Sequence, residues 1–444
     1  MSPLSAAEPS PAEGYRILRE FPFLVPDFDE EVLDQLWTVW PEGMKQKAAQ
    51  ATSEERRRMT FEQYGIQPLP GQDYSQGLGY VQRTTGDWVM NCLACHGGQI
   101  DGKVYPGLGN ADFDLQSLAE DVGIVKKKLG KTLTHMDTAA NKGAVLSTGP
   151  GMTAAVNFGV DLGALRDKEM NFLWTAKPPE RPDYGMDAPA FWNVKHKERL
   201  YCDDHAPNYH RVIMQFILHP WNNADYVKRN EGKFRQIQAW IQSVEAPRYP
   251  HPIDEPLAAQ GKVVFNNNCA ECHGTYENNH VVNYPERVIP LDEIGTDPVR
   301  VKELKPEHHQ QLAESWLTRK DDGSGEHYEV VLDPVGYLAP PLKGIWASAP
   351  YLHNGSVPTL WHLLHPEQRP KIWKRTSRDY DTEKLGHTVE TFDALPANFE
   401  SLNKYERRRF YNHDDFGKKT DGHDYPSALS EEERRAVLEF LKTL

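Results

Sequence analysis

The sequence predicts a mainly α-helical fold with two domains and long loops. Two copies of one cysteine motif lie far apart in the chain, the first beginning at Cys92 and the second at Cys269. Apolar residues recur at helical spacing near both copies, and 33 prolines and 32 glycines among 444 residues indicate many turns and extended connections. A chain of this length commonly forms two or three domains, so we expect one domain around each motif.

Both motifs have the form Cys-x-x-Cys-His, which is typical of covalent haem c attachment. Two thiols bond to the two vinyl groups of one porphyrin, and the adjacent histidine coordinates the iron. A redox dithiol or half of a zinc site is the alternative, but such a pair seldom occurs twice with His-Gly after each copy. The sequence therefore predicts two c-type cytochrome domains with one haem each. The residues concerned are Cys92, Cys95 and His96, and Cys269, Cys272 and His273.

Proline marks the expected domain boundary. Residues 245–256 contain four prolines within ten positions, which excludes a helix or a central strand. We therefore predict a polar tail over residues 1–13, a first haem domain over 14–245 and a second over 246–444.

Helix patterns support this division. A helix beginning at Pro256 carries Gly261, whose small size would let the last helix cross closely, and Ser430 with Glu433 forms a capping box for that last helix. Residues 115–129 and 209–218 are further predicted helices in the first domain.

Charge and hydropathy exclude several function classes. The net charge of −14 argues against nucleic acid and anionic membranes as partners and leaves a basic redox protein open. No apolar run is long enough to span a membrane, and the start lacks the features of a signal peptide. Haem c attachment normally needs an extracytoplasmic compartment, so we expect a periplasmic or secreted protein whose export signal is not present in this chain.

The sixth iron ligand separates electron transfer from catalysis. Met214 is the last methionine, so the second domain cannot build a His/Met haem from its own residues. Histidine is the expected ligand, with tyrosine as the alternative, and His423 is the favoured candidate because it precedes the terminal helix. In the first domain no histidine occurs between His96 and His135. We expect an open or water-occupied iron there, with ligation by His135 or Met136 as the alternative.

Three segments resemble a known family. Residues 349–360, Ala-Pro-Tyr-Leu-His-Asn-Gly-Ser-Val-Pro-Thr-Leu, are similar to a signature of bacterial di-haem cytochrome c peroxidases and MauG-type enzymes. Residues 188–194 and 200–206 resemble two further stretches of that family. The similarity extends over roughly residues 70–444 and is closest to the branch of RoxA-type rubber oxygenases, which also have Gly-His before a Ser-Glu-Glu helix.

The resemblance implies roles for individual residues. Trp192 would lie between the two haems and relay electrons, and His423 would be the distal ligand of the second haem. The stretch from Tyr201 to Gln215 would line the distal pocket of the first haem. Ser348 and Pro350 match positions whose oxygens bind calcium between the domains of relatives, although the usual threonine is serine here.

The distal pocket departs from the family pattern. The family's Trp-Asp-Gly-Arg stretch is Cys-Asp-Asp-His at residues 202–205, and no clear equivalent of the peroxidase glutamate follows. Peroxide cleavage needs a distal base and a group that stabilises the departing hydroxide. The sequence offers His210, His205 or Asp203 as the base and Arg211 as the cation, with Gln215 nearby. An exposed helix start is the alternative interpretation of these charged residues.

Three functions follow from these patterns. The first is a di-haem oxidoreductase that activates hydrogen peroxide at the first haem and passes electrons through a bis-histidine second haem. The second is an oxygenase that binds dioxygen and cleaves an apolar substrate, and the third is a di-haem electron carrier. The first function is favoured. A small redox protein is the expected electron partner, and an unknown donor or substrate is the alternative.

Overall fold

The computed structural model of the chain describes residues 8–180 and 182–444. Helices are the most frequent regular structure among the described residues, which agrees with the helical part of the predicted fold class; the two domains with one haem each stay a prediction. The first half contains α-helices at Pro11–Glu20 (α1), Glu30–Gln35 (α2), Glu42–Gln50 (α3), Ser53–Tyr64 (α4), Leu115–Lys128 (α5), Met136–Asn141 (α6), Ala155–Ala164 (α7), Ala224–Arg229 (α8) and Glu231–Ser243 (α9). The second half contains Glu255–Asn268 (α10), Ala270–His273 (α11), Leu291–Ile294 (α12), Val299–Glu303 (α13), Pro306–Ala313 (α14), Leu360–Leu364 (α15), Lys404–Arg408 (α16) and Glu431–Leu441 (α17).

Short 3-10 helices and small antiparallel sheets fill the connections. The 3-10 helices are Leu36–Val39, Cys92–Ala94, Phe191–His196, Val212–Ile217, Ile345–Ala347, Pro366–Gln368, Phe399–Ser401 and Tyr425–Ala428. The strands of the first half are Phe28–Asp29 (β1), Tyr80–Gln82 (β2), Asp87–Met90 (β3), Gly97–Ile100 (β4), Lys103–Pro106 (β5), Ser147–Gly149 (β6), Met152–Thr153 (β7), Met186–Asp187 (β8), Arg199–Leu200 (β9) and Ala206–Pro207 (β10). Those of the second half are Thr275–Glu277 (β11), His280–Asn283 (β12), Val288–Pro290 (β13), Gly336–Leu338 (β14), Ile372–Asp381 (β15), Gly386–Phe392 (β16) and Phe410–Asn412 (β17). Their orders are β1-β3-β2, β4-β5, β6-β7-β8, β9-β10, β11-β12, β13-β14 and β16-β15-β17.

Each half has one pair of helices that cross at a glycine. In the second half, α10 packs against α17, and a β-carbon placed on Gly261 would lie 1.8 Å from the carbonyl oxygen of Ala436. The predicted capping box of Ser430 and Glu433 begins α17. In the first half, α1 packs against α9 in the same way, because a β-carbon on Gly14 would lie 2.0 Å from the Gln236 carbonyl oxygen. The predicted helix crossing is confirmed, and the structure adds a second one.

Two predicted segments differ from the structure in detail. The polar tail was expected over residues 1–13; residues 1–7 lie outside the described residues, but α1 already begins at Pro11, where proline suits a first helical position. The helix expected over residues 209–218 is a 3-10 helix over Val212–Ile217. Pro207 and Pro220 stand on either side of this segment. A segment this short gains little stability from α-helical hydrogen bonds.

The two halves meet through a shared apolar cluster. Helix α9 ends at Ser243 and α10 begins at Glu255, and the proline-rich segment between them has no helix or strand. Trp192 from the first half packs with Trp346 and Ala347 from the second half in one buried cluster. Strand β14 also reaches the first half, because the backbone N–H of Leu338 donates to the carbonyl of Cys202 (2.7 Å).

None of the helices in the described ranges combines the length and the apolar character needed to cross a lipid bilayer.

Candidate haem sites

The first motif is held by a tight turn after strand β3. The side chain of Asn91 accepts a hydrogen bond from the Leu93 backbone and starts the 3-10 helix Cys92–Ala94. This turn presents both cysteines of the motif as free, half-buried thiols. The Nδ1 atom of His96 lies 2.9 Å from the carbonyl oxygen of Pro189, to which it donates, so Nε2 is left as the metal-binding atom. Burial lowers the pKa of His96 to about 4, which keeps its imidazole neutral as a ligand must be.

The second motif repeats this arrangement on a helix end. Helix α10 ends before Cys269, and the next turn, α11, ends at His273. The Nδ1 atom of His273 donates to the carbonyl oxygen of Pro340 (2.8 Å), and burial lowers the pKa of this histidine as well. Both proximal histidines are therefore oriented by a proline carbonyl, a feature that the sequence analysis did not identify.

His423 lies opposite His273. The two ring centroids are 6.1 Å apart, and Nδ1 of His423 is buried without a hydrogen-bond partner among residues 8–180 and 182–444. Two imidazoles that bind one metal at about 2 Å each have centroids separated by roughly 6 Å. Burial, followed by the effect of His273, lowers the pKa of His423 to about 3, so this ring is also neutral. The pair fits an iron held between two histidines.

Arg369 orders the loop that carries His423. Its buried guanidinium donates to the carbonyls of Thr420 (3.2 Å), Gly422 and His423 (3.1 Å). The backbone N–H of His423 donates to the Ile294 carbonyl (2.7 Å). The position of the ring is therefore set by the backbone of its loop. The sequence analysis missed Arg369 because a side chain that binds carbonyls leaves no signature in the sequence.

Trp192 links the two proximal sites. It is 1% exposed, and its indole N–H donates to the carbonyl oxygen of Lys343 (2.7 Å). Trp192 lies three residues after Pro189, the partner of His96, and Lys343 lies three residues after Pro340, the partner of His273. Backbone segments and three hydrogen bonds thus connect the two histidines without a break.

Gln215 and Tyr201 form a pair beside the first motif. The side-chain N–H of Gln215 donates to the phenolic oxygen of Tyr201. Gln215 also packs on helix α7, where a β-carbon placed on Gly159 would lie 2.4 Å from its side-chain oxygen. Tyr201 has a left-handed backbone with φ 72°, an uncommon conformation for a residue other than glycine.

His210 and Arg211 are engaged elsewhere. Both donate to the carboxylate of Glu231, at 3.0 Å and 2.9 Å, and Arg211 also lies over the ring of Trp316. Although burial works against ionisation, the hydrogen bonds from His210 and Arg211 lower the pKa of Glu231 to about 2. These two predicted distal residues therefore form a buried ion-pair network with α9.

Asp203 and His205 belong to a second buried cluster. The Nδ1 atom of His205 donates to Asp203 (2.9 Å), and Arg300, which is 1% exposed, donates to the same carboxylate oxygen (3.0 Å). Burial favours the neutral acid, but the Arg300 guanidinium holds the pKa of Asp203 below its usual range. His309 stacks on His205, with centroids 4.6 Å apart. The three possible ligand atoms of Asp203, His205 and His309 lie within 4.8 Å, yet Arg300 already neutralises the carboxylate, which disfavours a metal there.

The other predicted ligands are His135 and Met136 for iron, and Ser348 and Pro350 for calcium. His135 Nδ1 lies 2.8 Å from Asp27, and Met136 packs in the apolar cluster that also contacts Cys95. Ser348 and Pro350 stand in the loop before His353, whose carbonyl accepts a hydrogen bond from the backbone of Asp187 (3.1 Å). Burial raises the pKa of Asp187 well above its usual value.

Comparison with known proteins gives one family match and two relatives of 28% identity. Residues 336–374 match the family of RoxA-like, cytochrome c-like proteins. The uncharacterized protein y4iM of Sinorhizobium fredii is 28% identical over 279 residues, which cover 56% of this chain and 60% of that protein. The uncharacterized protein y4iJ of the same organism is 28% identical over 272 residues, covering 48% of this chain and 44% of that protein. The chain thus spans about half the length of these curated relatives.

Among solved structures, a MauG-like protein associated with microbial copper homeostasis is 13% identical, with a TM-score of 0.28 over 65% of this chain and 88% of that one. The argument for the family rests on the sequence. The RoxA-like match includes Pro340, the residue that orients His273, and extends into the 349–360 signature. The chain is therefore similar to RoxA-like, cytochrome c-like proteins over residues 336–374, and it carries two Cys-x-x-Cys-His motifs outside that region.

Proposed function

We propose that the protein is a di-haem c-type oxidoreductase that activates peroxide at the haem of its first motif. In this proposal each half of the chain holds one haem, at Cys92 and Cys95 and at Cys269 and Cys272. The observation that carries the proposal is the asymmetry of the two sites. His273 faces the imidazole of His423, whereas in the described part of the chain the ring neighbour of His96 is Phe191, which is not a ligand.

The residues divide the work accordingly. His96 would hold the haem that activates peroxide, and His273 with His423 would hold a haem that stores an electron. His96 and His273 keep their Nε2 atoms free for metal because Pro189 and Pro340 accept the Nδ1 protons. Trp192 carries electrons between the two halves through its contact with Lys343.

Calcium is a further part of the proposal. Ca²⁺ binds carboxylate and carbonyl oxygens, and a buried carboxylate without a cation is costly. No ion pair of Asp187 is found among residues 8–180 and 182–444, and its backbone contacts the loop of Ser348 and Pro350. We propose that Asp187 joins the oxygens of Ser348 and Pro350 around this ion.

We also propose an extracytoplasmic location, because haem c attachment requires an oxidising compartment. The net charge of −14 suits a basic redox protein as the electron donor.

Titration with cyanide tests the proposed function. Cyanide is titrated into the oxidised protein and, separately, into the one-electron-reduced protein. One tight cyanide site per chain is expected in at least one of these two redox states. Replacing Cys92 and Cys95 with alanine should abolish that site, whereas the matched replacement of Cys269 and Cys272 should remove the other haem and leave the site in place. A protein with no tight site in any redox state would be an electron carrier, and the proposal would be wrong.

An oxygenase that acts on an apolar substrate is the second candidate. It is favoured by the RoxA-like match and by two tryptophans, Trp174 and Trp221, which are 75% and 69% exposed. These side chains would offer an apolar surface to such a substrate. Substrate cleavage with dioxygen, in the absence of peroxide, would favour this candidate over a peroxidase.

A further inference from the structure

We propose that Tyr201 is the hydrogen-bond donor of the distal pocket at the first haem, held in place by Gln215 and His205. The inference rests on the proposed function, since it concerns the distal side of the site built on His96. It assigns the role expected of His210 and Arg211 to Tyr201, which the sequence analysis named only as the first residue of the stretch that would line the pocket.

The segment that carries Gln215 packs in the same apolar cluster as the first motif. Gln215 stands in the 3-10 helix Val212–Ile217, whose Met214 and Ile217 belong to the apolar cluster that contacts Cys92. Helix α7 also contributes residues to the clusters that contact the first motif. Its residue Leu162 packs in the same cluster, and Phe158 packs in the cluster that contacts Cys95.

Gly159 allows the side chain of Gln215 to approach helix α7 closely. A β-carbon at this position would lie 2.4 Å from the side-chain oxygen of Gln215, so the amide reaches α7 only because residue 159 has no side chain. From there the amide N–H extends to Tyr201. Contacts therefore lead from the apolar clusters around Cys92 and Cys95, through α7 and Gln215, to the phenol of Tyr201.

The direction of the hydrogen bond leaves the phenolic proton available. Gln215 is the donor and the oxygen of Tyr201 is the acceptor, so the O–H of Tyr201 can be given to another group. Burial raises the pKa of Tyr201 above its usual value, which keeps the phenol protonated at neutral pH. A neutral phenol can donate to an oxygen atom that develops negative charge during peroxide cleavage.

The remaining contacts fix the position of the ring. The ring of His205 stacks on Tyr201, with centroids 4.7 Å apart and planes at 13°. His205 is in turn fixed by Asp203, to which Arg300 donates. Tyr201 also has a left-handed backbone with φ 72°, and such conformations in residues other than glycine cluster at functional sites.

Anion binding to the oxidised protein tests this assignment without enzyme turnover. Fluoride bound at the first haem should lose a hydrogen bond in Tyr201→Phe, and its Kd should rise roughly tenfold or more, as expected for a hydrogen bond to a charged group. In the reduced protein with carbon monoxide, the C–O stretching frequency of the variant should be higher than in the wild type, because a distal donor lowers that frequency.

Tyr226→Phe is the matched control. Tyr226 packs against the apolar cluster that also contacts Cys92, but its hydroxyl donates to the carbonyl oxygen of Phe23 (3.0 Å). Its replacement should leave both the fluoride Kd and the C–O frequency unchanged. Gln215→Leu removes the group that positions the phenol and should move both values in the direction of Tyr201→Phe, which keeps the inference testable if Tyr201→Phe does not fold.

The outcomes separate the inference from the proposed function. Wild-type values in Tyr201→Phe, or in Gln215→Leu where only that variant folds, would overturn the inference while leaving the first haem as the ligand-binding site. A wild-type protein that binds neither fluoride nor carbon monoxide in any redox state would overturn both, since such a haem has no distal pocket to serve.

Discussion

At the scale of single residues, the expected iron ligands come directly from the sequence and stay predictions. The Cys-x-x-Cys-His spacing predicts both attachment sites, and the lack of methionine after Met214 favours histidine as the further ligand of the second haem. The groups that orient these histidines could not be predicted. Pro189 and Pro340 act through backbone carbonyls, which every residue has, so only the folded chain shows which carbonyl is used.

Replacement of His423 tests the ligand assignment of the second haem. His423→Ala should convert that haem from low-spin to high-spin, because the imidazole facing His273 is removed. Electronic absorption and electron paramagnetic resonance spectra measure the change. His280→Ala, on the exposed strand β12, is the control and should leave the spectrum unchanged. Low-spin character that survives in His423→Ala would mean that another side chain is the ligand.

At the scale of secondary structure, helices with capped ends and an apolar stripe were predicted well. The helix expected over residues 115–129 is α5, and the capping box at Ser430 begins α17. The sheet of β15, β16 and β17 was missed. Strand β15, Ile-Trp-Lys-Arg-Thr-Ser-Arg-Asp-Tyr-Asp, buries only its first two residues, so it lacks the alternation that predicts a strand.

The two glycine crossings give a matched test at this scale. Gly261→Ala should lower the free energy of unfolding by about 1–3 kcal/mol, the usual cost of overpacking, because the new methyl group meets the Ala436 backbone. Gly232→Ala in α9 is the control; none of the described residues has an atom within 4 Å of its β-carbon position, so alanine should stabilise the helix by about 0.5–1 kcal/mol. Thermal or denaturant unfolding followed by circular dichroism distinguishes the two. Equal effects of both changes would contradict the close crossing of α10 and α17.

At the scale of the whole molecule, the sequence predicts a proline-rich boundary but not how the halves meet. Contacts between distant segments, such as Leu338 with Cys202 and Trp192 with Lys343, depend on the complete fold. The resemblance to the MauG and RoxA superfamily suggested a connecting role for Trp192. The structure adds a specific route for it, from Pro189 to Pro340 through one indole hydrogen bond.

Trp192→Phe tests whether this route carries electrons. Phenylalanine keeps most of the buried volume but is harder to oxidise and lacks the N–H that donates to Lys343. Both haem spectra should therefore stay close to the wild type in the resting protein. After addition of peroxide, rapid-mixing spectroscopy should show joint changes at both haems in the wild type and changes at the first haem alone in the variant.

The control for this experiment is Trp88→Phe. Trp88 is also fully buried, but its indole donates to Glu30, and it packs against Phe61 of α4 in a different cluster from that of Trp192 and Trp346. This variant should share electrons between the haems as the wild type does. If Trp192→Phe also showed joint oxidation at an unchanged rate, electrons would pass between the halves by another route, and Trp192 would serve only to pack the cluster that joins them.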